Sequence, residues 1–286
     1  MTAPRRQNNK GLYMSYFTLK NGEKLYYEDM GSGKRTIVML HGWTTSHEVF
    51  DPVKEEISKY ARCIIYDHRG HGKSKEANSE EVTLDTLASD LYEIIKGLDL
   101  EDVTLLGWSM GAAVAMNYTL LYGCEELRDI ILCDMTPKQM NDEKWKLGLY
   151  QGKYTIEDME RDAGKEFFDL YYQFVTGAVP RLAKIPQILL HIPLKEELSK
   201  CDEEVLKSLS RSMKQRDLRK CVGNISVPVT YFYPVPGSLF SPELAGWYEE
   251  HVNTPFRAVE FEDCSHMMIE DQPEKFTEEV IKVLQK

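Results

Sequence analysis

Short apolar runs alternating with helical segments limit this chain to very few folds. Thr36–Leu40, Ala61–Tyr66, Val103–Leu106 and Asp129–Cys133 are nearly uninterrupted apolar stretches a few residues long. Such runs read as strands covered on both faces. Between them, Ser46–Lys59 has helical spacing at Val49, Phe50, Val53 and Ile57. Thr83–Leu98 repeats the pattern at Leu84, Leu87, Leu91, Ile94, Ile95 and Leu98. Strand alternating with helix builds a mostly parallel, twisted sheet with helices on both faces. Ahead of it, Tyr16–Leu19 and Lys24–Glu28 flank Asn21-Gly22, a hairpin signal.

The alternation stops at about Pro137 and resumes after Gly223. In between, candidate helices are Asn141–Tyr150, Ile156–Val175, Ala183–His191 and Glu203–Cys221, with Pro180, Pro186 and Pro193 as punctuation. Thr155-x-x-Asp158 resembles a capping box, with Asp in place of Glu or Gln. Val229–Tyr233, Pro242–His251, Arg257–Phe261 and Pro273–Leu284 then read as strand, helix, strand and helix. The expected plan is a core of 13–136 with 224–286, an all-helical cap at 137–223, and a flexible extension at 1–12.

The run Val103–Leu106 leads into Gly107-Trp108-Ser109-Met110-Gly111 and then into the apolar helix start Ala112–Met116. Strand, Gly-x-Ser-x-Gly, helix is the setting in which this motif presents a serine. On so tight a bend, only glycines two before and two after the serine let the neighbouring chain pass. The hydroxyl then stands clear of the sheet, and the helix aims free N–H groups at whatever bonds to it. The five letters alone arise by chance in about one chain in ten of this length. Their placement carries the weight.

Composition narrows the partners. At 286 residues the chain is long enough for one domain plus an insertion, and 42% hydrophobic with 28% charged residues is ordinary for a globular protein. A formal charge of -11 argues against nucleic acid and anionic membrane as partners. The most apolar stretch, Val103–Met116, is too short to span a bilayer. No apolar segment follows Arg5, Arg6 and Lys10 in the manner of a signal peptide. The six cysteines are scattered without C-x-x-C spacing and read as reduced, with no metal site. The expectation is a cytoplasmic monomer or homodimer acting on a small molecule without a cofactor.

A serine nucleophile needs a base. Of seven histidines, His266 stands apart. It follows the strand Arg257–Phe261 in Asp263-Cys264-Ser265-His266-Met267-Met268, and loops past strand C-termini collect functional groups in open α/β sheets. His68 and His71 are expected to hold a Gly-rich turn and His41 to order its own loop. His47, His191 and His251 lack a constellation, although His191 lies where a pocket wall is possible. Donors for a developing oxyanion are expected from the backbone N–H of Met110 and of Trp43, with Gly42 allowing close approach.

These pieces together resemble the α/β-hydrolase superfamily from about Tyr16 onward. The matching residues are His41-Gly42-Trp43, Asp67-x-Arg69-Gly70-x-Gly72-x-Ser74, Gly107-Trp108-Ser109-Met110-Gly111, Asp134-Met135-Thr136-Pro137 and Ser265-His266-Met267, in the family's order. The resemblance implies an eight-strand-like sheet, a helical cap after the sixth strand, a nucleophile at Ser109 and a base at His266. It departs in one place. The family's usual acid loop corresponds to Pro234–Pro242, which contains no carboxylate. A triad still needs a group to orient the imidazole. Asp134, at the end of Asp129–Cys133, occupies the superfamily's alternative acid position, whereas Glu262 and Asp263 are too close in sequence to His266.

The implied activity is a carboxylesterase-like serine hydrolase acting on a small or medium ester, thioester or lactone. Its pocket is expected to include Trp108, Met135, Phe240 and Met267, with Phe167, Phe168, Tyr171 and Phe174 facing it from the cap. Arg161, Lys165, Arg181 and Lys184 are expected on a solvated cap face, a substrate carboxylate being their alternative partner. Ser109 in place of a nucleophilic Asp argues against carbon–halogen cleavage. A carbon–carbon hydrolase, a lyase, a cofactor-free perhydrolase and a non-turnover sensor are the alternatives on the same triad.

Overall fold

A computed structural model describes residues 12–78, 81–237 and 239–286. The expected N-terminal extension, Leu12 apart, lies outside the described residues. The strands are β1 (Tyr13–Thr18), β2 (Lys24–Met30), β3 (Arg35–Leu40), β4 (Ala61–Tyr66), β5 (Val103–Trp108), β6 (Leu127–Cys133), β7 (Val229–Val235) and β8 (Phe256–Glu262). They form one sheet in the order β1-β2-β4-β3-β5-β6-β7-β8. β1 and β2 pair antiparallel across the Asn21-Gly22 turn, and β2 pairs antiparallel with β4. From β4 to β8 every pairing is parallel.

The parallel centre explains the apolar runs. Along β5 every residue is buried, and alternate side chains serve opposite faces. Val103 and Leu105 join a core with the helices Leu84–Gly97 and Met110–Tyr122. Leu106 and Trp108 join another with the helices Asp51–Ile57 and Pro273–Leu284. The C-terminal ends of β3, β5, β6 and β8 therefore open at one edge of the sheet.

The segment between β6 and β7 is helical, with one isolated bridge, Lys138 to Asp217. Its details differ from the sequence expectation. Asn141–Tyr150 is not a helix. The Asn141 side chain accepts from Gly148 N and donates to Leu149 O and Tyr154 O, while Asp142 accepts from Lys144 N and Trp145 N. Side chains that satisfy local backbone groups outcompete helix formation. The chain then turns at Leu149–Gly152 with left-handed φ at Tyr150 and Gln151.

Ile156–Val175 is two helices, Ile156–Asp162 and Phe167–Ala178, separated around Gly164, a weak helix former. The Thr155–Asp158 capping box forms with both reciprocal bonds. The next helix begins after Pro186 and runs past His191 and Pro193 to Ser199. The last long one, Glu203–Gln215, ends short of Cys221, and Arg219–Val222 makes a separate turn. Among the described residues, no helix is long and apolar enough to cross a membrane.

Candidate active site

Ser109 sits at φ +54°, ψ −121°, between β5 and the helix Met110–Tyr122. This is a strained conformation for a residue with a side chain. Its N–H donates to Cys133 O at 2.9 Å, tying the bend to β6. The flanking glycines are required sterically. A methyl on Gly107 would overlap the backbone at Gly111 and Ala112, and one on Gly111 would overlap the Leu40 carbonyl.

The bend brings three distant residues into line. Ser109 Oγ lies 2.8 Å from His266 Nε2, and His266 Nδ1 lies 2.6 Å from Asp134 Oδ2. A carboxylate oxygen accepts, so Nδ1 donates and Nε2 is left to accept from the serine hydroxyl. Ser109, His266 and Asp134 are 6%, 1% and 1% exposed, so each hydrogen bond is shielded from bulk water. The backbone of His266 is held from both sides. Trp108 Nε1 donates to His266 O at 2.8 Å, and His266 N donates to Ala178 O at 3.0 Å, linking the loop to the cap. Asp134 follows β6 with φ +41°, and its N–H donates to Phe232 O at 2.8 Å. Asp271, at the end of the short helix Met268–Asp271, accepts from Ser265 N and Oγ, next to His266 in the chain.

A cavity of about 470 Å³ opens over Ser109 and His266. Trp43, Trp108, Tyr171, Phe174 and Met267 line it. Met135 and Phe240 do not, contrary to expectation. Met135 is buried, and its carbonyl accepts from Tyr248 OH at 2.9 Å. Phe240 is buried with its ring 6.0 Å from the His266 ring, supporting the imidazole from outside the cavity. Adjacency in sequence does not fix which way a loop side chain turns.

Phe167 packs on Trp43 and Phe168 on His191, so neither reaches the cavity. Arg181 lines the cavity but pairs with Asp271 at 2.5 Å. Arg161 and Lys165 pair with Asp158 and Asp162 on the cap itself. The N–H groups of Trp43 and Met110 have no hydrogen-bond acceptor among the described residues. Met110 begins the helix after Ser109, and Gly42 packs so tightly that a methyl on it would lie 2.7 Å from the Trp108 ring and 3.2 Å from Ser109 Cβ.

The chain is similar to known proteins. A sequence model of the alpha/beta hydrolase fold matches residues 35–174. The chain is 30% identical over 219 residues to the AB hydrolase superfamily protein YisY of Bacillus subtilis, covering 74% of this chain and 78% of that one. The chain belongs to the α/β-hydrolase family. It is also 34% identical over 128 residues to non-heme chloroperoxidase CPO-A1 of Kitasatospora aureofaciens, a match spanning 44% of this chain and about half of that protein, 46%. The esterase EaEST of Exiguobacterium antarcticum superposes with a TM-score of 0.81 at 26% identity, covering 95% of this chain and 99% of that one.

In this α/β-hydrolase the rings of His41 and His71 are oriented by hydrogen bonds, whereas neither ring nitrogen of buried His68 has a hydrogen-bond partner among the described residues. His41 Nδ1 donates to Gly42 O at 2.8 Å, and its Nε2 accepts from His68 N at 2.9 Å. His71 Nδ1 donates to Arg69 O at 2.7 Å. Burial pushes the His68 imidazole down to about 3 and His71 to about 4, and holds His41 well below its ordinary value.

His47, expected to lack a constellation, is buried in one. Its Nδ1 and N–H both contact Asp67 Oδ1, at 2.8 and 2.7 Å, and its Nε2 is 3.6 Å from Glu28. Burial pushes the Asp67 carboxyl up, but the hydrogen bonds from His47 and the nearby imidazoles outweigh it and leave the group low. Asp67 and His47 are twenty residues apart, and no local pattern announces the pairing.

Proposed function

We propose that the enzyme hydrolyses a small or medium carboxylic ester, thioester or lactone through an acyl-enzyme on Ser109. The observation that carries this reading is the continuous chain Ser109 Oγ, His266 and Asp134, at 2.8 and 2.6 Å, opening onto the cavity. His266 takes the Ser109 proton as Oγ attacks the carbonyl carbon. Asp134 holds the imidazole in the required tautomer and balances the imidazolium. The N–H groups of Trp43 and Met110 receive the oxyanion. His266 then protonates the leaving alcohol or thiol, and water, activated by the same imidazole, releases the acid. Trp43, Trp108, Tyr171 and Phe174 suit an apolar acyl part.

The test is a p-nitrophenyl ester series of increasing acyl length, combined with labelling by a fluorophosphonate. The expected outcome is turnover on short and medium chains and one label per chain, both abolished in Ser109→Ala. No hydrolysis at any length would defeat the reading.

The resemblance to a chloroperoxidase favours a second reading on the same serine. A carboxylic acid acylates Ser109 with loss of water, and hydrogen peroxide in place of water then takes the acyl group as a peroxy acid. Peroxy acid formed from acetate and peroxide, and lost in Ser109→Ala, would support it.

A further inference from the structure

The Gly42–Trp43 peptide is gripped by its carbonyl end. Gly42 O accepts from three donors: His41 Nδ1 at 2.8 Å, Thr45 Oγ1 at 3.0 Å and Thr45 N at 3.4 Å. The last bond closes a tight turn in which Thr44 has φ +66°, a conformation that a β-branched residue adopts only under constraint. A trans peptide is planar, with its C=O and N–H pointing in opposite directions. Fixing the Gly42 carbonyl on one side therefore fixes the Trp43 N–H on the other. That N–H has no acceptor among the described residues. It belongs to a segment packed against Ser109, with Trp43 itself lining the catalytic cavity.

Each partner is matched to the task. Gly42 O only accepts, so His41 Nδ1 must carry its proton, and Nε2 is then free to accept from His68 N at 2.9 Å. The ring is fully buried and neutral, which keeps that arrangement single. Thr45 presents its hydroxyl to the same carbonyl at 3.0 Å, with Oγ1 3.5 Å from His41 Nδ1.

We infer that Thr45, with His41, is a positioning residue for the transition state: its hydroxyl clamps the Gly42 carbonyl so that the Trp43 N–H faces the oxyanion before substrate arrives. This rests on the acyl-transfer reading of Ser109. Without the Thr45 hydroxyl, His41 Nδ1 and Thr45 N still hold the carbonyl, so the peptide is loosened rather than released. The donor is then not lost but must be reoriented during the reaction, which weakens stabilisation made only in the transition state.

The test compares an ester with its thionoester, in which sulfur replaces the carbonyl oxygen. Sulfur is a poor hydrogen-bond acceptor on a longer bond, so the thionoester gains little from an oxyanion donor but uses the same Ser109 and His266. In Thr45→Val, kcat for the ester is expected to fall about tenfold, less than the loss for deleting a donor outright. KM and the thionoester rate stay unchanged, so discrimination between the two narrows. Thr45→Ser restores it. Thr45→Ala removes only side-chain atoms, fits the same space, and carries the same expectation should the valine variant fail to fold. Equal losses on both substrates, or no loss on the ester, would overturn the clamp while leaving Ser109 acyl transfer standing. Turnover surviving in Ser109→Ala would remove the acyl-transfer reading and the clamp with it.

Discussion

At the residue scale the site depends on groups that have no substitute nearby. Asp134 accepts from His266 Nδ1 at 2.6 Å while the loop Pro234–Pro242 offers no carboxylate. Asp134→Asn keeps the shape but presents an amide, which favours the wrong imidazole tautomer. The expected loss in kcat is on the order of ten-thousandfold, with the fold intact by circular dichroism. A variant retaining near-full turnover would take Asp134 out of the mechanism. Gly111 makes a different demand. Any side chain there overlaps the Leu40 carbonyl, so Gly111→Ala must displace either β3 or the bend. Loss of fluorophosphonate labelling together with a lowered melting temperature is the expected result; a fully labelled, equally stable variant would refute the steric account.

At the element scale the loops at the strand C-termini are tied to the helices behind them. The turn after β4 is anchored by a buried two-point pair, Arg69 Nε to Asp90 Oδ2 at 2.7 Å and Arg69 Nη2 to Asp90 Oδ1 at 2.8 Å. The partner Asp90 belongs to the helix Leu84–Gly97. Removing one member of a buried pair strands the other charge. Asp90→Ala is expected to lower the unfolding free energy by about 3 kcal/mol, read from urea denaturation. A change below about 1 kcal/mol would mean that water solvates Arg69 in the folded protein. On the cap, Thr155→Ala removes the acceptor for Asp158 N and is expected to cost about 1 kcal/mol. The sequence pattern exposed the segment between β6 and β7 as helical but not its breaks. Helical spacing is a local signal, whereas the Asn141 bonds to Leu149 and Tyr154 exist only once the loop has closed.

At the scale of the whole molecule, three buried neutral histidines couple stability to pH. Burial lowers His68 to about 3 and His71 to about 4, with His41 also held well below the ordinary value of 6.5. The unfolded chain takes up these protons as pH falls through about 6.5, while the folded chain refuses them. The unfolded state then binds more protons, so stability is fully present above that pH and declines as pH falls towards the folded values. Each histidine contributes a slope of about 1.4 kcal/mol per pH unit once fully engaged. Urea denaturation between about pH 7 and 5, above most carboxylate titration, is expected to show a falling midpoint. A flat midpoint across that window would show that these imidazoles accept protons in the folded state.

The residues alone determined the alternation of strands and helices, the hairpin at Asn21-Gly22, the bend at Ser109 and the place of the insertion. Each is written in neighbouring residues, as burial on both faces of a strand, as turn chemistry, or as the room that glycine leaves. The resemblance to the α/β-hydrolase superfamily, not the residues alone, pointed to His266 and Asp134 as partners of Ser109, because the family's usual acid loop is here empty of carboxylates. Only the tertiary structure decided that these side chains meet, that Met135 and Phe240 turn away from the cavity, that His47 pairs with Asp67, and that Thr45 grips the Gly42 carbonyl. Those outcomes depend on where loops from separate strands come to lie against one another. Distances across a closed sheet edge are set by the packing of the whole core, which no short stretch of sequence encodes.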